Sequence, residues 1–182
     1  MAESLQEKPM EPLLYQLLPE LEETGSYREL KGVLPLEVLK KGYQLFNLTG
    51  GIPYDIRMTN TGDGVLLRGF AYATGITECA RCLEDAPFDV QGAVEGYFII
   101  NPNEIEQEES DEEFTAVPDD GLVDLETPII AAIIFELPQV LFCKEDCAGL
   151  CATCGANLNI ESCDCAKAPD PDSPFAVLKD LL

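Results

Sequence analysis

Apolar positions recur along this 182-residue chain with two different periods, and the change of period outlines the fold. Val65-Leu66-Leu67-Arg68-Gly69-Phe70-Ala71-Tyr72-Ala73 fits a β-strand with Leu66, Phe70 and Tyr72 on one face. Phe88, Val90, Val94 and Phe98 alternate with Asp89, Gln91 and Glu95 and predict a second long strand. The simplest picture is an antiparallel pair whose connection, Thr77 to Pro87, holds Cys79 and Cys82. The period then changes to that of a helix at Thr127-Pro128. Thr127 is a good N-cap, and Pro128 suits the first helical position. Ile130, Ile133, Ile134 and Leu137 make the apolar face, Glu136 looks outward, and Pro138 ends the helix. Pro35 to Gln44 also reads as helical, from Leu36, Leu39 and Tyr43. Pro12 to Leu18 fits a short amphipathic helix or strand. Gly50-Gly51 and Asn60-Thr61-Gly62-Asp63-Gly64 are turn signals.

Charge changes this picture. The chain has 34 acidic and 11 basic residues, a net charge of −23, and no histidine. Direct capture of nucleic-acid phosphates, which Lys and Arg drive, is disfavoured, and an anionic membrane surface repels such a chain. Absence of histidine removes Ser-His and Cys-His nucleophile pairs and histidine metal ligands. Residues 1–81 carry eight basic and eleven acidic groups; residues 82–182 carry three and twenty-three. Seven carboxylates fall in the ten residues Glu104 to Glu113, which reads as an exposed loop, either solubilising or a landing site for a basic partner. The opening MAESLQEKPM is acidic and has no apolar run, and no stretch reaches the roughly 18 apolar residues of a membrane span. A cytoplasmic protein is expected, in which Asn47-Leu48-Thr49 is a chance glycosylation match and disulfides are disfavoured.

The eight cysteines are the most specific signal. They stand at 79, 82, 143, 147, 151, 154, 163 and 165. Cys151-Ala152-Thr153-Cys154-Gly155 is a zinc-knuckle pattern, in which a glycine after the second thiol lets backbone amides aim at sulfur. Cys79-Ala80-Arg81-Cys82 is a second CxxC without the glycine. A zinc ion takes four thiolates at about 2.3 Å in a tetrahedron, so eight cysteines make two sets. Chain proximity gives Cys151, Cys154, Cys163 and Cys165 as one site. Cys79, Cys82, Cys143 and Cys147 then form the other, stapling the strand connection to the segment after the helix. Pairing the two CxxC knuckles with each other, as in a zinc ribbon, is the alternative. Rival chemistries are an iron–sulfur cluster, a thioredoxin-like redox pair and unmetallated thiols. A closed shell of four thiolates leaves no position open for substrate, which argues for scaffolding. Arg81, between two thiols, either offsets thiolate charge or is a solvated loop residue.

These readings predict an α+β fold: an antiparallel sheet, open or barrel-like, with one packed helix and a small Cys-rich zinc-binding C-terminal module. The expected organisation is an N-terminal extension over 1–24, an α+β core over 25–142 with an acidic loop at 102–120, a zinc module over 143–168 and a C-terminal helix over 169–182. Ser173 and Pro174 start that helix, and Phe175, Leu178 and Leu182 share its face, which either docks on the domain or binds a partner. No catalytic constellation stands out: Ser4, Ser26, Ser110, Ser162 and Ser173 lie in no nucleophile elbow, and no Gly-rich phosphate cradle is present.

Four segments in order, CARCLEDAPF (Cys79 to Phe88), VDLETPIIAAIIFELP (Val123 to Pro138), CKEDCAGLCATCGANLN (Cys143 to Asn159) and the terminal DPDSPFAVLKDL, resemble the YceD family, the large-subunit ribosomal RNA accumulation proteins. The resemblance covers roughly residues 25–182. It implies a bacterial, cytoplasmic, non-enzymatic factor supporting synthesis, processing or stability of large-subunit rRNA. Since protein and rRNA are both polyanions, an indirect route is expected, in which the acidic surface binds a basic ribosomal protein or assembly factor. Lys31, Lys40, Lys41, Arg57 and Arg68 are the candidates for a local basic patch. The alternative from another class is a thiol-based redox or metal-responsive protein, which needs an accessible cysteine of low pKa.

Overall fold

In chain order the strands are β1 (Leu14–Gln16), β2 (Tyr27–Leu34), β3 (Val38–Lys41), β4 (Gln44–Leu48), β5 (Ile52–Asn60), β6 (Gly64–Glu78), β7 (Asp85–Ile99), β8 (Thr115–Ala116) and β9 (Leu122–Asp124), followed by helix α1 (Glu126–Glu136). The computed structural model describes residues 13–16, 23–100, 115–117 and 121–165. The expected C-terminal helix, the carboxylate run at 104–113 and most of the N-terminal extension lie outside them. The chain divides into two compact units, one of Met1–Thr77 with Pro87–Gln139 and one of Glu78–Ala86 with Val140–Leu182.

In the first unit β6 is the spine of the sheet, because broken strands share it as a partner. β5 pairs antiparallel with its first half (Asn60↔Val65 to Tyr54↔Ala71) and β4 with its end (Leu48↔Gly75 to Phe46↔Thr77). β5 and β4 pair in turn with β2 and β3, Leu34↔Ile52 and Val38↔Asn47 lying on either side of the interruption. The break is built on Gly50 and Gly51, both at positive φ; a Cβ on Gly51 would lie 2.5 Å from the carbonyl oxygen of Leu34. Only glycine lets the two backbones approach so closely. β7 also pairs with β6 and carries β8 in parallel, whereas β1 and β9 form a separate two-stranded sheet. The main sheet is open, not closed into a barrel.

Alternation along β6 buries Val65, Leu67, Ala71, Ala73 and Thr77. Leu66, Phe70 and Tyr72 do share a face, but it is the outer one, with Phe70 and Tyr72 exposed. Phe46 of β4 and Phe88 of β7 meet edge to face at 5.3 Å in the core. The hydroxyl of the buried Thr77 donates to Leu45 O (2.7 Å) and accepts from Gln44 (3.1 Å), so its burial leaves no orphaned polar group.

Four local expectations need correction. Residues 35–44 are not helical: they form most of the β3–β4 hairpin, turning at Gly42 (φ 63°), with Leu39 buried and Tyr43 fully exposed. Spacings of three and four in so short a run fit a strand as well as a helix, and pairing with β6 decides it. Thr127 is not the cap. Asp124 accepts the backbone N–H of Glu126 (2.8 Å) and of Thr127 (3.2 Å), so the helix starts before Thr127. The buried face is Ile129, Ala132, Ile133 and Leu137, with Ile130 and Ile134 at its margins. A short strand, β8, also falls within the span expected to be an acidic loop.

Helix α1 has no basic residue in its last turn, yet its carbonyls are not left unpaired. Lys41 reaches across to donate to Ile134 O (2.7 Å) and Leu137 O (2.5 Å), placing a cation at the negative end of the helix. At eleven residues α1 is short, and no helix among the described residues is long and apolar enough to cross a membrane. Its approach to β7 requires Gly92, where a Cβ would stand 2.4 Å from Ala132 O. Gly92→Ala is therefore expected to cost about 1–3 kcal/mol by overpacking against backbone. Gly96→Ala, whose Cβ would meet Phe98 at an ordinary 3.4 Å, should change stability by less than about 0.5 kcal/mol. Urea-unfolding midpoints of the two variants check the contrast.

Candidate metal centres

Among the described residues, the second unit buries few apolar side chains. Its core is Cys79, Cys82, Ala86 and Cys147, with Leu141, Cys143 and Leu150 packed against them. Cys79 and Cys82 sit on the tight turn between β6 and β7. Cys79 N–H donates to Glu84 O (2.8 Å) and Leu83 N–H to Cys79 O (3.0 Å), folding the CxxC back on itself. Ala80 N–H donates to Leu141 O (2.9 Å), tying this turn to the segment that brings Cys143 and Cys147. The four sulfurs of Cys79, Cys82, Cys143 and Cys147 lie within 4.8 Å of one another. Cys79–Cys147 are 3.8 Å apart and Cys82–Cys143 3.6 Å, with every cysteine a free thiol. A tetrahedron with bonds of about 2.3 Å has edges of about 3.8 Å. The donor set thus fits a single tetrahedral ion.

Cys151, Cys154, Cys163 and Cys165 form a second cluster under the same 4.8 Å limit. Its knuckle repeats the first: Gly155 N–H donates to Cys151 O (2.8 Å), as Leu83 N–H does to Cys79 O. Gly155 has φ 75° and Leu83, in the equivalent place, φ 63°. Leu83 thus holds, without a glycine, the left-handed conformation that Gly155 holds in the second knuckle. The structure brings together the two sets grouped by chain proximity and does not pair the knuckles with each other.

Around the sulfurs, backbone and amide N–H groups do what ligand-orienting partners do. Arg81 N–H donates to Cys79 Sγ (3.4 Å), Thr153 N–H to Cys151 Sγ (3.4 Å) and the Asn159 amide to Cys147 Sγ (3.4 Å). Asn159 Oδ1 also accepts from Ala148 N–H (2.9 Å), and its amide donates to Asn157 (2.9 Å). Asn157 and Asn159 were not singled out in the sequence; an Asn-x-Asn directly after the knuckle was their signal. Arg81 is no free loop cation. Its guanidinium donates to Cys147 O (3.0 Å) and lies 4.2 Å above the ring of Phe142, clamping one cysteine segment to the other.

These contacts split the thiols. Burial raises Cys79, but donation from the backbone N–H of Arg81 and of its neighbours outweighs it and lowers the thiol to about 6. Burial likewise opposes Cys147, which the Asn159 amide brings below its usual range. Burial and the adjacent Cys82, Cys147 and Cys79 sulfurs push Cys143 up to about 12. Cys82 is raised too: burial and Cys79 overcome the Glu84 N–H that favours its thiolate. In the other cluster the N–H groups of Cys154 and Thr153 lower Cys151 to about 6, while the bond with Cys154, then burial, lifts Cys165 to about 12. Cys163 is raised because Cys151 and burial outweigh the Cys165 N–H. Without an ion, four sulfurs this close cannot all be anions; a divalent ion removes that restriction.

Such an arrangement defines an acidic, mostly antiparallel α+β protein with two four-cysteine centres able to hold a metal ion. The family described as "Large ribosomal RNA subunit accumulation protein YceD" matches residues 67–182, a span that takes in both centres and α1, and the chain belongs to that family. An uncharacterized protein of Mycobacterium leprae is 31% identical over 152 residues, 82% of this chain and 69% of that protein. Uncharacterized proteins of Mycobacterium tuberculosis and Mycobacterium bovis are each 36% identical over 122 residues, 66% of this chain. The match to those two spans 58% of their length. No solved structure matches.

Two outcomes are expected. Gly155→Leu, with open space but a left-handed φ, should weaken its centre by about 1 kcal/mol, whereas Leu83→Gly, at an exposed residue, should not weaken the other. Chelator titration of metal-loaded protein measures both. Metal binding near pH 7 should release the protons of Cys82, Cys143, Cys163 and Cys165, whose raised pKa values keep them protonated there. Affinity then falls as pH falls, and calorimetry in buffers of different ionisation enthalpy reads the proton release.

Proposed function

We propose that this chain is a non-enzymatic accessory factor in the cytoplasm that supports large-subunit rRNA accumulation and ribosome assembly by binding a basic ribosomal protein or assembly factor. Membership of the YceD family carries the reading. The charge supports a protein intermediary over direct rRNA contact. The net is −23, and the candidate basic patch is largely engaged. Lys31 pairs with Asp55 (2.6 Å), Arg57 with Glu29 (2.8 Å), and Lys41 caps α1. A surface short of free cations gains little from a polyanion but attracts a cationic partner before rRNA claims it.

Zinc is the proposed ion for both centres, with Cys79, Cys82, Cys143 and Cys147 holding one and Cys151, Cys154, Cys163 and Cys165 the other. All-thiolate tetrahedral sets favour zinc, and a four-iron cluster holds its cysteine sulfurs farther apart than a single ion does. Zinc there supplies a closed structural shell, with no position for substrate. In a pull-down from bacterial lysate across a salt series, a basic ribosomal protein is expected in the bound fraction at low salt and to be lost as salt rises. Recovery of naked rRNA with no basic ribosomal protein at any salt overturns the reading.

A further inference from the structure

The two centres share a ligand set but not an environment. In the first, Cys79, Cys82 and Cys147 are buried and Cys143 is half-buried. Arg81 and Asn159 clamp its segments from two sides. In the second no cysteine is buried, and Cys154 is exposed. A groove of about 680 Å³ opens beside it, lined by Cys151, Cys163 and Cys165 together with the apolar Leu150, Leu158 and Ile160 and the acidic Glu161. Three of the four ligands thus face space large enough for an incoming group, while the fourth stands in solvent.

We propose that the Cys151–Cys154–Cys163–Cys165 centre is an exchangeable zinc site that passes its ion to an incoming thiolate ligand through this groove, while the Cys79–Cys82–Cys143–Cys147 centre retains its ion. The exchange is associative. For each of the four ligands exchanged, a sulfur–zinc bond to the acceptor forms as one to the site breaks. One acceptor thiol gives its proton to water and one cysteine of the site, Cys154 first, takes one up, with no change of oxidation state. Cys154 leaves first because its sulfur needs no unfolding to reach water, whereas releasing Cys79 or Cys147 first requires opening the core of the unit. The site is thereby suited to acceptors that present a soft thiolate donor, such as an unfilled cysteine-rich site or a small thiol.

The inference rests on the zinc reading, and its test separates the two. Full-length protein is loaded with excess zinc, desalted, and challenged with 4-(2-pyridylazo)resorcinol and, separately, with glutathione plus that dye as indicator. The expected result is two zinc equivalents per chain, one released about tenfold or more faster than the other, with glutathione accelerating the fast phase. Alkylation and mass spectrometry at the end of the fast phase should mark Cys151, Cys154, Cys163 and Cys165 and leave the other four unmodified. Cys154→Ser should remove the fast phase alone and leave the slow one unchanged. Two equivalents leaving in one phase, or first labelling at Cys79, Cys82, Cys143 or Cys147, overturns the inference while the zinc reading stands. Fewer than two equivalents overturns both.

Discussion

Four sulfur atoms within 4.8 Å of one another make an arrangement that a protein cannot hold for the sake of sulfur alone. As thiolates they repel; as thiols they fill a core with weakly bonding groups. The second unit accepts that constraint at its centre, for among the described residues its buried cluster is three cysteines and one alanine. A tetrahedral ion bound there would add the cohesion that so small a cluster lacks. The N–H groups aimed at Cys79, Cys147 and Cys151 are consistent with this: they stabilise negative sulfur, which is the form a metal binds.

The first unit solves a different problem by ordinary packing. Its sheet is long in one strand and interrupted in the neighbouring ones, and fifteen-residue β6 keeps the fragments in register. Residues at which a side chain would collide are glycines: Gly51 at the break and Gly92 beneath α1. The helix is held at both ends by groups outside it, Asp124 at the start and Lys41 at the finish. Electrostatics here act locally, Lys31 and Arg57 each serving a carboxylate and Lys41 two helix carbonyls, while the chain's net charge stays at −23.

That net charge and the closed thiolate sets point in the same functional direction. Both fit the proposed role, in which the molecule acts by meeting a partner. A basic partner would gain from the field of an acidic protein at long range, and a closed metal shell would fix shape. The second centre differs in having no buried cysteine.

Local pattern was enough for the two long strands and for the existence of α1, since each rests on period within a short stretch; for the eight cysteines spacing favoured two sets by chain proximity but left the zinc-ribbon pairing open until the structure grouped them. Local pattern failed where partners distant in sequence decide. Residues 35–44 are a hairpin because β6 lies beside β4, and α1 starts at Glu126, with Asp124 and not Thr127 accepting its first N–H groups. The left-handed Leu83 and the seat of Arg81 over Phe142 have no counterpart in residue type. Composition alone determined the charge and the supply of thiols. Which sulfurs are sealed and which are open to solvent was decided only by tertiary structure, because burial depends on what packs around a site and not on the ligands that form it.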